Sequence, residues 1–156
     1  MEHTNEDQER VISGQQCQTL ENLVTRSRDA SSAYRYASAI ALNPQHRELL
    51  LALAKRRSEL VDALWKPLKR ERGAASNNGS TLGALRRGRR WLVSLLDGAH
   101  DADLFRDCAT AEARVLRLYT RALRRNWPNE IRSVLEEQAG EVKSNYEQMR
   151  QMRATN

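Results

Sequence analysis

Between Gln15 and Ala41 the apolar and small residues Cys17, Leu20, Val24, Ser31, Tyr34 and Ala41 fall near helical spacing. Leu23, Ala30 and Ala37 widen that stripe, which predicts a long amphipathic helix. Asn43-Pro44 stops it, because proline disfavours a helical conformation in the residue before it and suits the first turn of the next helix. A second helix is predicted from about Pro44 to Arg72, with Leu49, Leu50, Leu53, Leu60 and Leu64 on one side. Arg47, Lys55, Arg57 and Lys66 are placed largely off that side, and Pro67 is expected to kink or end the helix. Residues 73–80 (GAASNNGS) read as a loop, Ser80 or Thr81 as a cap, and Leu82 to Leu96 as a short helix with Leu82, Leu85, Leu92 and Leu96 on its apolar stripe. Asp97-Gly98 ends it. Asp101 is expected to cap a helix reaching Arg125, whose stripe is Leu104, Cys108, Glu112, Val115, Tyr119 and Ala122, with an acid in the middle. After Asn126-Trp127-Pro128 a last helix, about Asn129 to Arg153, carries Ile131, Leu135, Gln138, Val142, Asn145, Met149 and Met152. Its apolar face is also polar at mid-length.

Short connections within the first and last pairs favour antiparallel neighbours, while Arg72 to Asp101 separates the pairs. The expected architecture is all-α: a ferritin-like antiparallel four-helix bundle with a short helix in the long crossover between helices two and three. Residues 1–14, with Glu2, Glu6, Asp7 and Glu9 and almost nothing apolar, read as a flexible acidic tail, and 15–153 as the bundle. Composition agrees with this division. A chain of 156 residues with 7 Gly, 3 Pro and 5% aromatics has the size of one domain and too few turn formers for a strand-rich fold. No run approaches the ~18 apolar residues of a membrane span, and the first residues are acidic where a secretory leader is basic and then apolar. A cytoplasmic protein with no membrane partner is expected.

Candidate chemistry is sparse. Two cysteines, Cys17 and Cys108, are too few for a disulfide framework or a zinc knuckle and read as small core residues. The histidines are His3, His46 and His100, and none follows a Glu by three residues, the spacing a di-iron bundle uses to place both ligands on one helical face. No serine or cysteine sits in a motif with histidine, and there is no glycine-rich phosphate loop. Catalysis has little to stand on.

The run 104–123 (LFRDCATAEARVLRLYTRAL), the segment RRSELVDAL around Glu59, the stretch STLGALRRGRRWLVSLLDG and the ending EVKSNYEQMRQMR resemble a family of small bacterial ferritin-like proteins of unknown function, domain of unknown function 2383. The likeness runs in order over most of Gln15 to Arg153. It implies a bundle with acids and a histidine at candidate metal positions, and a stress-related role. At those positions this chain departs from the pattern. Where the family reads Asp-Gly-Glu-Glu-Gly-Phe, this chain has Asp29, Ala30, Ser31, Ser32, Ala33 and Tyr34. A Cys-Glu-x-Gly-Glu pattern survives as Cys108 and Glu112, and Glu-Val-Lys-x-x-His survives as Glu141, Val142 and Lys143 with Tyr146 replacing the histidine.

Glu59, Glu112, Glu141 and Tyr146 are therefore the candidate site. They are either residual ligands for iron or manganese or, as the simpler reading, members of a buried network in which Glu112 and Glu141 pair with Arg or accept from Tyr34, Tyr119, Tyr146 or Gln138. No cofactor is expected on that simpler reading. A second feature is charge. The 26 Lys+Arg include only four Lys, and net charge is +6. Lys66, Lys69, Arg70, Arg72, Arg86, Arg87, Arg89 and Arg90 concentrate it at the end of helix two and on the crossover, near Trp65 and Trp91. A solvated helical surface explains such a cluster; weak nonspecific binding of nucleic acid is the alternative. Side-by-side pairing into a homodimer is a further open option.

Overall fold

The computed structural model describes residues 12–72 and 100–155, and within them all regular structure is helical. The acidic segment through Val11, the loop 73–80, the predicted helix Leu82 to Leu96 and Arg86, Arg87, Arg89 and Arg90 lie outside the described residues. The described residues form four helices: α1 (Gly14–Ile40), α2 (Pro44–Arg72), α3 (Asp101–Ala122) and α4 (Asn129–Thr155).

Local chemistry sets their ends. Ser13 caps α1 in a reciprocal box, its Oγ accepting from the Gln16 N–H while the Gln16 side chain accepts from the Ser13 N–H. Ile12 is already buried, so the packed structure begins inside the stretch read as a tail. The Asn43 side chain accepts from the Gln45 N–H at the start of α2. Pro67 does not end α2, which continues to Arg72 and buries Leu68 beyond it. Asp101 is not the cap of α3 either; that position belongs to His100, which makes no capping bond with its side chain. Asp101 instead reaches across to the α1–α2 corner. Its two carboxylate oxygens accept from the Leu42 N–H at 2.8 Å and the Asn43 N–H at 3.1 Å, and His46 Nδ1 lies 2.6 Å away. This clasp ties the start of α3 to the turn between α1 and α2.

The opposite end is closed by Gln16, which donates to the Asn126 carbonyl, and by Trp127, whose indole N–H donates to Ala122 O at 2.7 Å. These contacts fix chain direction. The C-terminus of α1 and the N-termini of α2 and α3 share one end, while the N-terminus of α1 and the C-terminus of α3 share the other. Around the bundle α1 packs on α2 and α3, and α4 packs on α3 and α2. Helices in sequence order therefore run up, down, down, up, and α2 ends at the end opposite to that where α3 begins.

The apolar core divides along the bundle axis. One cluster, with Leu20, Leu23, Leu64, Leu68, Trp127 and Leu135 among its members, fills the end near the α3–α4 turn. A second, with Ala37, Leu50, Leu104, Phe105 and Met149, fills the end near the Asp101 clasp. Between them lies a layer of buried polar side chains.

Candidate functional site

Each helix brings polar residues to its buried stripe at mid-length. On α1 these are Ser27 and Ser31, on α2 Arg57, on α3 Glu112 and on α4 Gln138, all buried. Helical periodicity requires it, because α2 buries Leu50, Ala54, Arg57, Val61, Leu64 and Leu68 at alternating spacings of four and three. Arg57 is thus not off the apolar face, as expected from the leucines; it is the centre of that face.

Arg57 and Glu112 meet where the four stripes cross. Arg57 Nη2 donates to both carboxylate oxygens of Glu112, and both side chains are fully excluded from solvent. The Tyr34 hydroxyl donates to Glu112 Oε1 at 2.5 Å. Beside this triad Tyr119 donates to Gln138 Oε1 at 2.5 Å, and Gln138 Nε2 donates to the Leu60 carbonyl at 3.0 Å. Ser31 Oγ donates to Ala54 O at 2.9 Å and lies 3.1 Å from Ser58 Oγ. Most of the layer is satisfied internally. Ser27 Oγ and Arg57 Nε and Nη1 are the exceptions, buried without a hydrogen-bond partner among the described residues.

Electrostatics keeps the surrounding acids in one state. Burial, and then the neighbouring Glu112 charge, hold the Tyr34 phenol well above its ordinary range, so it is a neutral donor. Burial pushes Tyr119 up to about 12. Burial, and then the charge of Glu112, keep Cys108 a protonated thiol, which removes it as a nucleophile. Cys17 and Cys108 are both buried and unbonded.

The other predicted residues do not join this centre. Glu141 takes a two-pronged contact from Arg56, Nε to Oε1 at 2.8 Å and Nη2 to Oε2 at 2.9 Å. Glu59 lies on the same arginine, 3.1 Å from Nη1, and is exposed. Tyr146 is half-buried, with the Arg150 guanidinium over its ring at 5.7 Å. Arg70 rims a cavity of about 190 Å³ between α1, α2 and α4, next to Glu71 and Glu130. Its setting is mixed in charge. Arg72 is the last residue of α2.

Sequence reasoning missed Arg57, and the signal was the four-three spacing from Leu50 to Leu68. Among the described residues no three His, Cys, Asp or Glu side chains converge as a metal-binding group. The one buried acid of the centre, Glu112, already has its oxygens engaged by a guanidinium and a phenol. This donor set does not fit a di-metal site, which asks for several free carboxylates and imidazole.

A family model, Domain of unknown function (DUF2383), matches residues 15–125, and the chain belongs to that family. No curated protein and no solved structure matches it.

Proposed function

We propose that this member of the DUF2383 family is a ferritin-like bundle in which a guanidinium occupies the place of the metal, making it a non-catalytic scaffold that acts through its surfaces. The single observation that carries the reading is the bond from Arg57 Nη2 to both oxygens of Glu112 at the crossing of the four helices. A di-metal bundle neutralises its central carboxylates with cations. Here a cation of the chain itself does so. The hydroxyl of Ser31, at a position where the resemblance places an acid, is turned to Ala54 O and supplies no negative charge for a second cation. A stress-related role would then run through contacts of the outer faces and not through iron oxidation.

The test is elemental analysis of the purified protein, together with thermal unfolding during titration with Mn(II) and anaerobic Fe(II). The expected result is no stoichiometric metal and no saturable rise in melting temperature. Stoichiometric iron or manganese that Glu112→Ala abolishes would overturn the proposal and establish a residual carboxylate metal site.

A further inference from the structure

The second half of α3 concentrates a different kind of chemistry on the outside of the bundle. Residues 113–129 contain five arginines, Arg114, Arg117, Arg121, Arg124 and Arg125, and no acid. All five are exposed. Arg114, Arg117 and Arg121 stand three and four residues apart and so share one helical face, and Arg124 and Arg125 follow in the turn that closes the helix. At 1.5 Å per residue the stripe is about 16 Å long.

None of the five forms an ion pair among the described residues, although arginines elsewhere do: Arg26, Arg56, Arg106 and Arg132 each have a carboxylate partner. The stripe's contacts are to neutral oxygens, Arg117 Nε to Ala113 O at 3.3 Å and Arg125 Nη1 to Gln15 Oε1 at 3.2 Å. Some positive charge near a helix C-terminus is favourable through the backbone dipole, but that effect fades within the last turn. Arg114 lies two turns before the end of α3 and is outside its reach.

We infer that this α3 face is a docking surface for the phosphate backbone of nucleic acid, bound without regard to sequence. Arginine suits the role because its planar fork of donors matches phosphate oxygens, which lysine meets only as a point charge. Between the arginines the helix offers Thr120, exposed, and Leu116 and Leu118, half-buried. That surface lacks the exposed aromatic or apolar anchor around which protein partners concentrate their binding energy. Phosphate contacts need no such anchor.

The experiment is fluorescence anisotropy of a labelled duplex DNA of arbitrary sequence, titrated with the full chain at several salt concentrations. Its comparisons are Arg114→Ala/Arg117→Ala/Arg121→Ala/Arg124→Ala and a control removing four other basic side chains, Lys55→Ala/Arg106→Ala/Lys143→Ala/Arg150→Ala. For four phosphates neutralised, the logarithm of the binding constant should fall against the logarithm of salt with a slope of about −3.6. The stripe variant should lose at least tenfold in affinity at low salt and most of that slope, while the control keeps both within threefold. Circular dichroism establishes that both variants remain helical, as expected for exposed positions. Three results would overturn the inference: no salt-dependent binding by the wild type, equal losses in stripe and control variants, or a polyglutamate peptide that binds as tightly as the DNA and so indicates an acidic protein partner. Loss confined to a variant lacking Arg86, Arg87, Arg89 and Arg90 would overturn it too, by moving the contact to the crossover.

Discussion

Arg56 and Arg57 are neighbours in sequence, and each pairs with a glutamate on another helix. Their surroundings differ in one respect that changes everything else. Arg56 is 47% exposed and grips Glu141 and Glu59 at the rim of the bundle. Arg57 is 0% exposed and grips Glu112 at its centre. Hydrogen bonds from Arg56 to Glu141 and Glu59 raise its already high pKa, but water and salt screen the pair, and an exposed ion pair contributes little to folding. Arg57 is shut off from bulk solvent, which therefore does not take over when a partner is lost. A 100° turn of the helix thus separates a decorative contact from one on which the fold depends.

Removing the acid from the inner pair should have the largest effect. Glu112→Ala leaves a buried guanidinium without a counter-charge and is expected to destabilise the protein by about 3–5 kcal/mol, measured as a shift of the urea midpoint. Tyr34→Phe sharpens the point by deleting only the phenol that donates to Glu112, and a loss of about 1.5–3 kcal/mol in the same measurement is expected for a bond to a charged acceptor.

Asp101 occupies the middle ground, with a side chain 11% exposed. Burial raises its pKa, but the bonds from the Leu42 N–H, His46 and the Asn43 N–H together outweigh burial and hold it below its ordinary 3.8. A carboxylate whose folded pKa is depressed contributes stability that is present above the unfolded value and is lost as pH falls through the folded value. Asp101→Ala should cost about 0.5–2 kcal/mol at neutral pH, as the loss of a capping acceptor does. It should also flatten the acid limb of a stability profile below pH 3.8, where the wild type is still losing the contribution. Arg56→Ala should produce the smallest effect, a midpoint indistinguishable from that of the wild type at physiological salt.

The four long helices were legible because their stripes repeat over many turns, and Asn43-Pro44 and Asn126-Trp127-Pro128 mark breaks that few other residue combinations make. Glu112 stood out as an acid flanked by Cys108 and Val115 on an apolar stripe. Its partner did not, since α2 carries leucines on both sides of its buried face and the line through Leu49, Leu53 and Leu60 pushes Arg57 to the edge. Burial in the bundle selects the four-three line through Leu50, Ala54, Arg57, Val61, Leu64 and Leu68 instead. Glu59 and Glu141 show the converse. Glu59 follows buried Arg57 by two residues and Glu141 directly precedes buried Val142, so each projects away from its helix's buried stripe, and a likeness in motif does not carry depth of burial with it. Asp101 stands where local rules expect a helix cap, but its oxygens are taken by a turn 58 and 59 residues earlier in the chain, a contact no local rule contains.

The arginine at the centre is held by charge and still leaves Nε and Nη1 without partners among the described residues, so the layer is tied together without being optimal for stability. Urea unfolding of wild type, Glu112→Ala and the apolar replacement Tyr34→Phe/Arg57→Met/Glu112→Leu, compared side by side, tests this most directly. The triple variant should recover the whole loss seen in Glu112→Ala and match or exceed the wild type. A triple variant as unstable as Glu112→Ala, or a Glu112→Ala protein as stable as the wild type, would contradict the assignment of Arg57 and Glu112 as the closed pair at the centre of the bundle.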